Sequence, residues 1–220
     1  MNNIPVLCLG AVCLLMAIMY TIFGQKGGWQ GLLVRGLAIV SCLALALVSA
    51  NLKSITHALP LFVTIGFALL LLSEALKVAG IEDEKANIVT FGVLNSVGFV
   101  SIALGGMALG EFNYFAIVGG VFLGIALGCI VCAVKKYKKP ARVFVEIFTY
   151  MSMGFIVGFG LMSVLGSSHF YSSVCMLGGG VLLIVQKLMT SLGKGKAVTY
   201  IANALYIIAL TALSVTIYLY

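Results

Sequence analysis

The chain has 220 residues, of which 62% are hydrophobic and only 9% charged. Soluble domains carry about 45–50% apolar and about 25% charged residues, so this composition excludes a soluble globular enzyme and points to an integral membrane protein. The formal charge of +7 is concentrated in loops, without an aromatic–basic nucleic-acid motif, and is read as a signal for membrane orientation and not for nucleic acid.

A spanning helix needs about 20 apolar residues, and the chain offers eight such stretches in order. The first is expected over residues 5–23; without a basic leader or a small-x-small cleavage site it reads as a retained span and not a signal peptide. Residues 25–29 read as a turn with an interfacial Trp29. The second helix is expected over 32–50, with Arg35 near its start, and residues 51–57 as a short polar connection. The third, over 59–78, is almost purely apolar yet carries Glu74. A carboxylate on a hydrocarbon-embedded helix costs several kcal/mol unless it is paired or faces water, so Glu74 is the first candidate for chemistry. The competing reading lets it snorkel to the interface or pair with Lys77.

Residues 80–85 hold the one acidic cluster, read as a solvated loop that starts a helix. Helices are then expected over 87–109 and 112–134, a strongly basic loop over 135–142, and helices over 143–165, 171–189 and 198–219. Residues 166–169 read as a short turn and 193–196 as a basic one. Of the 13 cations, 12 flank the first, third, fifth and seventh connections, and only Lys53 flanks an even-numbered one. The positive-inside rule then places the odd-numbered loops in the cytoplasm and both termini outside a cell membrane.

The six cysteines all fall in apolar runs. The Cys129-x-x-Cys132 spacing has no His partner, so it reads as packing and not as a redox or metal motif. His57 and His169 sit by outer loops, apart from each other. No cofactor and no metal site is expected, and the pattern carries no oligomeric state.

The halves of the chain echo one another as two parallel four-helix repeats. Gly66 precedes Glu74 by eight residues, as Gly178 precedes Gln186. Arg35 and Arg142 open the second and sixth helices, and Asn95 and Asn203 interrupt the fourth and eighth. All these groups fall in the half of the membrane next to the basic loops. Glu146 follows Arg142 by four residues, which is the spacing of a pair on one helix face. The plainer readings make the cations topology anchors and the asparagines interhelical glue.

At these residues the chain resembles the YhhN family of lysoplasmalogenases, eight-helix membrane hydrolases. Gly66-Phe-Ala-Leu-Leu-Leu-Leu-Ser-Glu74 is similar to the family's third-helix pattern, with Glu74 at the acidic position. Phe91 matches the fourth-helix aromatic, while Asn95 stands where the family has His. Val143 and Met153 match the sixth helix, where the family's proline is Arg142 and its tyrosine Glu146. Gln186 replaces the second acid, and Tyr200-Ile-Ala202-Asn203 parallels the eighth-helix motif. Arg35 matches the basic residue that opens the second helix, without the Pro that usually follows.

The resemblance implies cleavage of the vinyl ether of a lysophospholipid, releasing a fatty aldehyde. Glu74 would be the acid, with a pKa raised in an apolar site. Gln186 and Asn95 would complete the catalytic set by positioning water. Arg35, Arg142, Lys187, Asn203 and Glu146 would form the substrate-binding set, a cation holding the phosphate. Loss of the second acid also admits a non-enzymatic lipid binder, and a few buried polar groups in an eight-helix repeat admit a small-solute transporter or channel.

Overall fold

The computed structural model describes residues 4–23, 28–53, 58–79, 84–109, 113–166 and 169–220, with the side chains at 28, 29, 32, 77–79 and 84–88 left aside. Among the described residues are eight α-helices: α1 (Ile4–Phe23), α2 (Gly28–Leu52), α3 (Ala58–Ala79), α4 (Glu84–Gly105), α5 (Tyr114–Lys135), α6 (Pro140–Gly166), α7 (Phe170–Leu192) and α8 (Lys196–Leu219). A short 3-10 turn, Gly106–Ala108, follows α4. All eight helices are long and apolar enough to cross a membrane, so the chain is an all-α multi-pass membrane protein.

Several helices run further than hydropathy alone indicates. α6 begins at Pro140, three residues before the expected start, because proline's fixed φ suits the first helical turn and its missing N–H has no partner there in any case. The N–H groups of Arg142 and Val143 already donate to the Lys139 carbonyl at 3.0 and 3.2 Å. α2 begins at Gly28, so Trp29 is helical and not part of a turn. α7 continues to Leu192, which makes Thr190 and Ser191 helical. α5 starts under Asn113, whose side chain accepts from the N–H groups of Phe115 and Ala116. The readings of residues 25–27, 54–57, 80–83 and 167–168 as turns or loops lie outside the described residues.

Contacts run from α2 to α3, α4, α6, α7 and α8 and return to α2, closing a ring of six helices. α1 covers the seam between α2 and α8, and α5 packs on the outside of α6. The seam between α4 and α6 stands where the expected repeat puts the counterpart of the seam between α8 and α2, but α5, unlike α1, packs chiefly on one helix of its seam. Each seam carries a polar contact. Ser96 and Thr149 hydroxyls lie 3.1 Å apart across the first, and Cys42 Sγ lies 3.7 Å from Thr211 Oγ1 across the second. Such contacts contribute about 0.6 kcal/mol each in a bilayer.

Without a hydrophobic drive between helices in lipid, close van der Waals approach must hold them together. α5 and α6 achieve this through glycine. A Cβ at Gly120 would run into the Gly154 carbonyl, one at Gly124 into the Tyr150 carbonyl, and one at Gly158 would come within 2.9 Å of Ile117 Cα. Glycines make the same kind of approach between other helices. Gly66 packs against α4, where a Cβ would meet the Gly98 carbonyl at 2.7 Å and the Ile102 side chain. On α7 the close approach to α8 belongs to Gly179, which faces the Ala209 carbonyl at 3.2 Å and Leu213 Cγ at 2.8 Å, while Gly178 has open space.

Candidate functional site

A polar cavity of about 310 Å³ lies at the end of the ring next to the odd-numbered connections. α2 contributes Arg35, α3 Glu74, α4 Asn95 and Phe99, α6 Thr149 and Met153, α7 Gln186, Lys187 and Thr190, and α8 Asn203 and Tyr206. Tyr20 reaches it from α1. Residues from every helix but α5 therefore meet at one place, and six residues expected from the sequence are among them: Arg35, Glu74, Asn95, Gln186, Lys187 and Asn203.

Glu74 is not an isolated acid in an apolar site. Arg35 Nη1 donates to its Oε2 at 3.4 Å, joining α2 to α3, and the two side chains are 22% and 13% exposed. The expected alternative, local pairing with Lys77, falls on a side chain outside the described set. Tyr20 and Tyr206 stand near this pair, their rings tilted with centroids 6.0 Å apart.

The second ion pair joins α6 to α7. Lys187 Nζ donates to Glu146 Oε2 at 3.2 Å, and Ser191 Oγ donates to Glu146 Oε1 at 2.9 Å. The Tyr150 hydroxyl in turn donates to Ser191 Oγ at 3.5 Å. Glu146 is buried and stands outside the cavity wall, behind Lys187. Its expected pairing with Arg142 is not made. Arg142 lies in the exposed first turn of α6 and places its guanidinium 4.7 Å from the centroid of the Tyr137 ring, away from the cavity. Helical spacing permits the Arg142–Glu146 pair, but Glu146 faces α7. Arg142 is therefore removed from the binding set. Beside it, burial pushes the Tyr137 phenol above its ordinary pKa, with the Glu146 carboxylate adding to the shift.

Asn203 is 9% exposed, lines the cavity, and its Nδ2 has no hydrogen-bond partner among the described residues. The hydroxyl of Thr149, by contrast, donates to the Val145 carbonyl at 2.8 Å. Sequence reading passed over Tyr20, Thr149, Tyr150, Thr190, Ser191 and Tyr206. One signal was present: Glu146 and Tyr150, and likewise Lys187 and Ser191, are four residues apart and so share a helix face.

A second hollow, of about 340 Å³, lies between α4, α5 and α6, lined by Val97, Val100, Val121, Phe148, Met151, Ser152 and Phe155. Its single hydroxyl, on Ser152, donates to the Thr149 carbonyl at 2.7 Å, which leaves an apolar wall. Among the described residues no group of three or more His, Cys, Asp or Glu side chains is placed to hold a metal ion. His169 stacks on Tyr220 with centroids 4.2 Å apart, and His57 lies outside the described residues.

Fold and site together define a polytopic helical membrane protein with a charged cavity set inside a ring of helices. Comparison with protein-family models, curated proteins and solved structures finds no match.

Proposed function

We propose that the chain is a membrane lipid hydrolase that draws the polar end of a lysophospholipid into this cavity and hydrates its vinyl ether. The observation that carries the reading is the convergence of Arg35, Glu74, Asn95 and Gln186 on a single cavity. Among the described residues, Glu74 is the one carboxylate in its wall. In this reading Glu74 passes a proton to the outer alkenyl carbon, and the carboxylate left behind is stabilised by Arg35 and faces the oxocarbenium ion. Water, oriented by Gln186 and Asn95, adds to the carbon bearing oxygen and gives up a proton to the Glu74 carboxylate, which restores the acid. The hemiacetal then collapses to a fatty aldehyde and the glycerol hydroxyl, with one water consumed. The odd-numbered loops face the cytoplasm of a cell membrane, so the cavity takes its lipid from the cytoplasmic leaflet.

The test is aldehyde release from lysoplasmalogen by the purified protein. Glu74→Gln should lower the rate by at least about 100-fold; an unchanged rate removes Glu74 from the chemistry. Gln186, which cannot act as an acid or base, favours a second reading, a lipid-binding protein without turnover. Saturable lysophospholipid binding with no aldehyde release selects that reading.

A further inference from the structure

α1 and α5 both lie outside the ring of helices, but they cover it differently. α1 touches both helices of the seam between α2 and α8. α5 rests on α6 and leans toward α7, so its flank toward α4 stays open. The cause lies in the sequence of α5. Gly120, Gly124 and Gly128 bring its backbone against that of α6. Val121, about 100° further round the helix than Gly120, faces the gap that this leaves. The gap is the hollow of about 340 Å³, with Val97 and Val100 on its α4 side and Phe148 and Phe155 on α6.

Its place in the chain puts the hollow inside the hydrocarbon. Phe148 and Phe155 are seven residues apart in the middle stretch of α6, so the hollow follows that helix for about 10 Å, well within a hydrocarbon core of about 30 Å. Val97, 41% exposed, stands at its mouth. Water is not held there. An ordered water needs about two to four polar partners, and the single hydroxyl in the wall, on Ser152, already donates to the Thr149 carbonyl. An empty hollow would forfeit the dispersion contacts of the side chains around it. The surrounding solvent is acyl chain, as apolar as these walls. A chain lying in the hollow touches three helices at once, and so is held more firmly than the lipid on the outer faces of the bundle.

From this geometry we infer that the hollow is a lipid-binding site, which takes one hydrocarbon chain of a bilayer diacyl phospholipid. The chain supplies the contact between α4 and α5 that the protein does not make, and the lipid is a resident part of the fold. The site uses a different face of α6 from the one that turns Thr149 and Met153 to the polar cavity. It does not depend on what that cavity binds or on whether the ligand is cleaved.

The full chain is purified in mild detergent, and the phospholipid that stays with it is extracted and measured per chain by mass spectrometry. A diacyl phospholipid should survive the washing that strips the rest. Val121→Phe and Val97→Phe each put a ring where the chain lies and should cut the retained phospholipid at least about fivefold. Val118→Phe, the same change at an exposed position of α5 outside the hollow, should leave it unchanged.

Thermal unfolding gives a readout that damage to the fold would not. Stripped of lipid, the parent should unfold at a lower temperature, and added diacyl phosphatidylcholine should restore it by mass action. Val121→Phe should unfold at the same temperature with and without that lipid, because its ring fills the hollow. Equal retention in the parent and Val121→Phe, or an equal loss in Val118→Phe, overturns the site. Two further outcomes overturn it by naming another occupant. Weakened lysophospholipid binding in Val121→Phe with phospholipid retention unchanged gives the hollow to the tail of the cavity's own ligand. Dissociation of a dimer by Val121→Phe gives it to a second copy of the chain.

Discussion

At the scale of single residues, the fate of a charge depends on what stands behind it. Glu146 is buried, with Lys187 and Ser191 completing its hydrogen bonds. Removing one partner of a buried pair costs about 3–5 kcal/mol, because the other charge is left uncompensated. Lys187 keeps 25% of its side chain exposed, so Glu146→Leu is expected to cost roughly 2–3 kcal/mol in thermal unfolding experiments. Adding Lys187→Met to that variant should recover part of the loss, since the stranded cation is gone; a double variant less stable than the single one contradicts this.

The same residues mark the limit of what was legible. Glu74 stood out because a lone carboxylate in an apolar helix is conspicuous. Its partner Arg35 read as a phosphate-binding residue or an interfacial anchor, since a separation of 39 positions in sequence hides the contact. Glu146 was drawn to Arg142 by local spacing, and only the packing of α6 on α7 turned it toward Lys187. Tyrosines and hydroxyls such as Tyr20 and Ser191 carry no comparable signal, because in apolar helices they serve equally as belts and glue.

At the scale of elements, the eight spans were legible because twenty apolar residues admit no other answer, whereas their ends were not. Polar residues at a helix end suit the membrane interface, so hydropathy stops short of Trp29 and Ser191 although the hydrogen-bond ladder continues. The glycines of α5 were visible in number but not in direction. Gly120 and Gly124 face α6, while Gly119 meets nothing within 4 Å. Gly124→Leu should therefore prise α5 from α6 and cost more than about 2 kcal/mol, whereas Gly119→Leu should stay within about 0.5 kcal/mol of the parent in the same detergent unfolding assay. Equal losses at both positions would discredit the helix contact.

At the scale of the whole molecule, most of the described basic residues lie toward the end of the bundle that holds the cavity. The proposed orientation is checked with reporters fused at either terminus. Both should register the non-cytoplasmic side, and a reporter inserted in the basic loop after α5 should register the cytoplasm. A cytoplasmic signal from a terminus reverses the bundle and moves the cavity to the opposite leaflet.

The two cross-helix ion pairs acquire a meaning at this scale that neither has alone. α2 gives a cation and α3 an acid, while α6 gives an acid and α7 a cation. Two identical halves would face each other with matching charges, and a guest could enter such a cavity equally well in either of two poses. Exchanging acid and base in one half removes that degeneracy. The opposed order of the two pairs thereby gives the cavity a vector, and a ligand of the proposed kind would be told head from tail.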